Sequence, residues 1–181
     1  MLNKEERDFL LRSARHAVKT YLESGRMKII STPDPMLKET RGAFVTLRQG
    51  SELRGCIGLL ESGQPLYEII CRMAVEAAVK DPRFPPVSLS ELPGLRFEIS
   101  VLTRPVKVFG PEKIVMKRDG VIVRRGGCQG VFLPQVAEET GWSKEEFLSA
   151  LCSHKAGLPA DAWKEKDTEI YTFQAEVFSE E

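Results

Sequence analysis

Apolar residues recur along this chain with two periods, one typical of helices and one typical of strands. They fall on one helical face from Glu5 to Glu23 and again from Pro65 to Val79, which predicts two amphipathic helices. A short helix is predicted from Pro134 to Glu139. A further helix is predicted to begin after Ser143, which with Glu146 three positions on forms a capping box.

Alternating and β-branched segments predict the strands. They are residues 42–48, 53–60, 95–102, 106–109, 120–125, 130–133 and 170–178. Turn sequences at 49–51 and 126–129 join neighbouring strands into two antiparallel hairpins. Because helices and hairpins are mixed without a repeated strand–helix–strand rhythm, the pattern predicts an α+β fold.

Composition and charge narrow the classes of function. Lys+Arg and Asp+Glu both number 26, so the chain lacks the net positive charge that draws proteins to nucleic acids or anionic lipids. The apolar runs are too short to span a bilayer, and the polar, acidic N-terminus does not resemble a secretory signal, so we expect a cytoplasmic protein without membrane or nucleic-acid partners. The four cysteines are scattered, so we expect reduced thiols, no metal site and no cofactor.

The hexapeptide Leu53–Gly58 carries the first candidate chemistry. Gly55 and Gly58 flank Cys56 and offer backbone freedom, including positive φ, while Arg54 offers a positive charge that favours a thiolate. The alternative is that Cys56 is a small buried residue of a strand and that the glycines serve a bulge. A nucleophilic thiol also needs a base, and both histidines of the chain are expected to be structural or solvent-facing.

A second set of candidate functional residues lies in a segment stiffened by prolines, residues 80–86. It places Asp81, Arg83 and Phe84 in a rigid loop that could rim a pocket for an anionic ligand. The alternative is a solvated end of the preceding helix, in which Asp81 and Arg83 cap backbone groups.

These two segments belong to an ordered set of motifs. The set is LRGCIG at 53–58, KDPRFPP at 80–86, LPQVA at 133–137, GW at 141–142 and KAGL at 155–158. From about Leu37 to Phe178 the chain resembles the AMMECR family, also called AmmeMemoRadiSam system protein A. The resemblance implies an antiparallel sheet flanked by helices with a smaller inserted α+β lobe, and an association with Memo-like and radical S-adenosylmethionine proteins.

The domain division expected on this basis puts residues 1–112 and 166–181 in a main domain and residues 113–165 in the smaller lobe. The family motifs map onto Arg54, Gly55, Cys56 and Gly58 in the first segment. In the second segment they map onto Asp81, Arg83 and Phe84. The resemblance locates a site but implies no reaction.

Two hypotheses of function follow. In the first, the site recognises a small anion or a partner protein through Arg54, Asp81, Arg83 and Phe84. In the second, the protein is a small enzyme in which Cys56 is a nucleophile or redox thiol, Arg54 assists it, and Asp81 or Glu98 handles protons. The shortage of histidines favours the first.

Overall fold

The computed structural model describes all 181 residues, and the chain divides into two units. The first comprises Met1–Leu102 and Glu176–Glu181, and the second comprises Thr103–Ala175. Both combine helices with an antiparallel sheet, which confirms the predicted α+β class. The second unit is larger than the lobe expected at 113–165, because strands near 106 and 170 pair within its sheet.

The first unit contains two helices and four strands. Their bounds are α1 Lys4–Ser24, β1 Ala43–Gln49, β2 Glu52–Leu59, α2 Leu66–Val79, β3 Leu95–Leu102 and β8 Ala175–Ser179, of which Ala175 is the last residue of the second unit. The sheet order is β2-β1-β3-β8, so β2 is an edge strand. Alternate residues of β1, Val45 and Leu47, are fully buried in the core that the sheet forms with α1 and α2.

Both ends of α1 follow from sequence. Asn3 and Glu6 form a capping box at its start, which satisfies two backbone N–H groups that have no partner within the helix. At its end Gly25 adopts φ 69°, a conformation that favours glycine, and its N–H bonds to the carbonyl of Tyr21. The helix therefore has the limits that its hydrophobic pattern predicts. No helix of the structure combines the length and apolar character needed to cross a membrane.

The second unit surrounds its own hydrophobic core. Its elements are β4 Val106–Val108, β5 Gly120–Arg125, β6 Cys128–Phe132, α3 Pro134–Thr140, α4 Lys144–Ala150 and β7 Glu169–Phe173. The sheet order is β4-β7-β5-β6. The Ser143–Glu146 capping box predicted before α4 is present, and α4 continues as a π-helical segment, Leu151–Ala156.

Two predicted elements differ from the structure. The turn expected at 126–129 is shorter, because Cys128 and Gln129 already pair with β5 and only Gly126 and Gly127 form the turn. The single strand expected at 170–178 is two strands, β7 and β8, in different sheets. They separate at Gln174, whose N–H and C=O both bond to Thr103 instead of continuing either ladder.

Candidate functional site

The hexapeptide lies on β2, the edge strand of the first sheet. Leu47 pairs with Gly55 and Arg48 pairs with Leu53, so Arg54 is the extra residue of a β-bulge. A Cβ atom on Gly55 would lie 2.2 Å from the carbonyl oxygen of Ala77 in α2. Glycine is therefore required at this position, because it allows the helix to approach the strand.

Gly58 has a similar role on the opposite face of β2. A Cβ atom there would lie 2.3 Å from the ring of Phe44, which covers this glycine from the neighbouring strand. Neither Gly55 nor Gly58 has a positive φ, so neither uses the left-handed backbone that glycine permits. Close packing, and not backbone freedom, explains both glycines.

Cys56 is half-buried and faces Thr46 of β1. The Thr46 hydroxyl donates a hydrogen bond to Sγ at 3.3 Å. Thr46 also pairs with Glu98 on its other side, so the three side chains share the sheet face that points away from the helices. Glu98 forms an ion pair with Arg48 at 3.8 Å. The thiol therefore lies among polar groups and outside the hydrophobic core.

Asp81 and Arg83, which we call the Asp81–Arg83 clamp, bind the backbone of Cys56. Asp81 Oδ2 accepts a hydrogen bond from the Cys56 N–H at 2.8 Å, and Arg83 Nη2 donates one to the Cys56 carbonyl at 3.2 Å. Both groups point away from β1, where an edge strand has no neighbour. The clamp thus replaces a neighbouring strand at this one residue and connects the two sequence motifs.

The clamp is held together by three hydrogen bonds from Arg83 to Asp81. Arg83 Nε and Nη2 donate to the two carboxylate oxygens at 2.9 and 2.7 Å, and the Arg83 N–H donates at 3.1 Å. The Asp81 side chain is 2% exposed, whereas that of Arg83 is 54% exposed. A buried anchor thereby fixes a cation that solvent can reach.

Electrostatics define the roles of the two residues. The hydrogen bonds from Arg83, and next those from the Cys56 and Arg83 N–H groups, outweigh burial and hold the pKa of Asp81 well below its usual range. Asp81 is therefore ionised near neutral pH and has no proton to donate. The pKa of Arg83 is raised, first by the hydrogen bond to Asp81 and then by the charge of that carboxylate, which together outweigh burial. Arg83 is thus the cation beside the thiol.

Arg54, predicted to assist Cys56, is engaged elsewhere. Its Nε donates to Glu91 Oε1 at 3.0 Å and its Nη1 donates to the Pro85 carbonyl at 2.9 Å, while only 12% of the side chain is exposed. Hydrogen bonds to Glu91 from Ser88 N–H, then from Arg54, lower the pKa of Glu91 to about 2. Arg54 therefore fastens residues 80–91 to β2.

Phe84 completes the exposed surface. The guanidinium of Arg83 lies 5.5 Å from the centroid of its ring, a distance typical of a cation–π contact. The structure thus brings Cys56, Asp81, Arg83 and Phe84 together. Thr46 was missed by the sequence-based reasoning, and only its alignment opposite Cys56 in the hairpin register would have found it.

No histidine base and no metal-binding set accompany the thiol. His16 lies on α1 and His154 lies in the π-helical segment of the second unit, and neither is hydrogen-bonded to Cys56. No group of three or more His, Cys, Asp or Glu side chains is placed to hold a metal ion. Among the other thiols, burial and then the charge of Glu68 raise the pKa of Cys71 to about 12, so that thiol is protonated near neutral pH.

The fold and the site define a class of two-unit α+β proteins in which an aspartate–arginine clamp holds a half-buried cysteine at a sheet edge. The profile of the AMMECR1 family matches residues 11–178. Protein MK0488 from Methanopyrus kandleri is 50% identical, with 99% of this chain and 91% of that protein covered. Protein PF1979 from Pyrococcus furiosus is 47% identical, with 96% and 88% covered.

Solved structures give the same assignment. The crystal structure of uncharacterized protein PH0010 from Pyrococcus horikoshii superposes with a TM-score of 0.86 at 46% identity, covering 96% of this chain and 90% of that one. The chain therefore belongs to the AMMECR1 family. The family match begins within α1, further towards the N-terminus than the sequence motifs reach. The names of these relatives state no activity.

Proposed function

We propose that this chain is a cytoplasmic binding protein that takes a small anionic ligand at the surface formed by Thr46, Cys56 and Arg83. One observation carries the proposal. The Arg83 side chain is 54% exposed, although the buried carboxylate of Asp81 fixes two of its nitrogens. A cation held in this way loses little conformational freedom on binding, which favours affinity. Phe84 adds an apolar contact beside the guanidinium.

The chemistry of the clamp favours binding over autonomous catalysis. Asp81 uses both carboxylate oxygens in hydrogen bonds, and its lowered pKa makes it a poor proton donor and a poor base. Neither histidine contacts Cys56. Asp81 is thus a positioning residue, and Arg83 is the group that meets the ligand.

Inorganic phosphate and alkylation of Cys56 together test the proposal. In a Cys128→Ser background, which removes the exposed cysteine, phosphate should slow the reaction of Cys56 with iodoacetamide, a neutral reagent. Arg83→Ala should abolish this protection. Arg118→Ala is the matched control, because Arg118 is 56% exposed and bonds to a buried aspartate in the second unit. Equal protection in all variants, or none in the parent, would contradict the proposal.

The family resemblance supports a place for the binding protein beside Memo-like and radical S-adenosylmethionine proteins, and we include them in the proposal as partners. Size-exclusion chromatography of the full chain with each purified partner tests this. Co-elution that Arg83→Ala weakens and Arg118→Ala leaves unchanged would support it. If the two proteins elute separately at micromolar concentrations, the proposal of these partners is wrong. The proposal of anion binding, which the phosphate experiment tests, would not be affected.

A second candidate function is thiol chemistry at Cys56. The observation that favours it is the hydrogen bond from the Thr46 hydroxyl to Sγ, since a donor to sulfur stabilises a thiolate. Iodoacetamide at neutral pH would then alkylate Cys56 more slowly in Thr46→Val than in the parent, while its reaction with exposed Cys128 stayed unchanged. Equal rates at Cys56 in the two proteins would contradict a nucleophilic role supported by Thr46.

A further inference from the structure

The second unit contains a cavity of about 420 Å³ that is independent of the Cys56 site. It lies between the β4–β7 pair and residues 163–168. Its volume falls within the range of small-molecule sites, roughly 300–1,000 Å³. The cavity is therefore large enough for a small molecule, and the residues that line it indicate which class of ligand fits.

Two aromatic side chains give the cavity flat apolar walls. Phe109 is 92% exposed and so contributes little to the core, while Trp163 is held in place by a hydrogen bond from Nε1 to Ser149 Oγ at 3.1 Å. Val108 and Ile170 line the cavity between charged residues. Lys164 Nζ lies 4.9 Å from the centroid of the Trp163 ring, so the exposed Phe109 offers the aromatic face on which a flat ring can stack.

A second concavity adjoins the first and is strongly charged. The two share Lys107, Lys166 and Glu169. Together they are lined by five cationic side chains and three carboxylates, whereas the whole chain has a formal net charge of zero. The cationic residues are Lys107, Arg124, Arg125, Lys164 and Lys166. Lys107 is ion-paired with Glu169 and Arg125 with Asp167, so the apolar end of the cavity leads into an end whose net charge is positive but partly compensated.

One polar group in the cavity wall lacks a partner. Thr168 is 9% exposed, and its hydroxyl oxygen is buried without a hydrogen bond. Leaving such a group unpaired is unfavourable, so it calls for an explanation. One explanation is that a polar atom of a ligand binds in the cavity next to Thr168.

From these observations we infer that the cavity binds a flat aromatic ring system carrying two or more negative charges, and a nucleoside polyphosphate is the chemical class that fits. The ring stacks against Phe109. The phosphates lie over Lys166, which both concavities share, and extend toward Arg125, where they compete with its ion pair to Asp167. Recognition thus combines stacking at one end with charge at the other, as the walls require.

Calorimetric titration of the full chain with ATP, and separately with adenosine and tripolyphosphate, tests the inference. ATP should bind more tightly than either fragment. Phe109→Ala and Lys166→Ala should each weaken ATP binding by about tenfold, the loss expected for one stacked ring or one phosphate contact. Lys155→Ala, at an exposed position outside both concavities, should leave it unchanged.

Because Phe109 and Lys166 are exposed, their variants should keep the fold, which circular dichroism would verify. Two results would overturn the inference. One is the absence of ATP binding. The other is that tripolyphosphate binds as tightly as ATP and that Phe109→Ala has no effect on ATP binding. The site would then be a basic patch that binds phosphates without recognising a ring.

Discussion

The first unit holds the pair Asp81–Arg83, and the second unit holds the pair Asp119–Arg118. Each aspartate side chain is at most 3% exposed and each arginine is more than half exposed. Each carboxylate also accepts a backbone N–H, from Cys56 at 2.8 Å and from Val115 at 2.9 Å. In hydrogen bonding and exposure the two pairs are close to equivalent.

The two pairs differ in the sequence separation between the aspartate and the backbone N–H that it binds. Asp119 bonds to Val115, four residues earlier, and so closes a tight turn that also contains Lys117 with φ 68°. Burial opposes ionisation of Asp119, but the hydrogen bond from Arg118 and further bonds outweigh it and lower the net pKa. Asp81 instead reaches back 25 residues to the edge strand and places Arg83 beside Cys56. The same pair is local architecture in one unit and part of a candidate site in the other, and the two are distinguished by the range over which the aspartate bonds and by the neighbouring thiol.

The largest expected effect comes from Gly55→Ala. The added Cβ would lie 2.2 Å from the Ala77 carbonyl, so α2 must move away from β2 and carry Asp81 with it. The free energy of unfolding of the first unit should fall by about 3 kcal/mol, measured by urea denaturation. The Cys56 amide should also exchange faster with solvent. Gly63→Ala, where a Cβ meets nothing within 4 Å, is the control. Equal stability of the two variants would mean that the clamp does not depend on the close contact between α2 and β2 at Gly55.

A smaller effect is expected when each aspartate is neutralised. Asp81→Asn and Asp119→Asn should each destabilise their own unit by about 2 kcal/mol, since both remove charged hydrogen bonds from a buried group. Only Asp81→Asn should accelerate hydrogen exchange of the Cys56 amide and change its rate of alkylation. Mass spectrometry of exchanged peptides measures both units in one experiment. If Asp119→Asn also alters Cys56, the contrast drawn between the two pairs is wrong.

Local secondary structure could be predicted from the sequence, whereas the assignment of strands to sheets could not. The limits of α1, the hairpin carrying Cys56 and the Ser143 capping box were predicted, because each depends on residues close in sequence. The division at Gln174 was not, because the alternation continues across it and only its bonds to Thr103 end the ladder. Local patterns do not report which sheet a strand joins.

The candidate site shows the same limit. The motifs indicated that Cys56, Asp81 and Arg83 matter, but Arg54 lies only two residues before the thiol in sequence and was predicted to assist it. The bulge and the Glu91 ion pair direct Arg54 to the loop instead. Asp81 could not be recognised as a buried anchor, since a charged residue before proline is typical of an exposed loop. Its partner on β2 is fixed only by tertiary packing.

The smallest expected effect is the pH dependence of the clamp, which tests whether its strength is ionic. Because the pKa of Asp81 is lower in the folded than in the unfolded chain, its stabilisation is complete above about pH 5 and is lost as the pH falls toward the folded value. The difference in unfolding free energy between the parent and Asp81→Asn should therefore shrink by about 1 kcal/mol between pH 7 and pH 3. Urea denaturation followed at first-unit probes measures it. Asp119→Asn should behave likewise at second-unit probes, since the pKa of Asp119 is also lowered. A difference that stays constant down to pH 3 would show that geometry, and not charge, holds Arg83 beside Cys56.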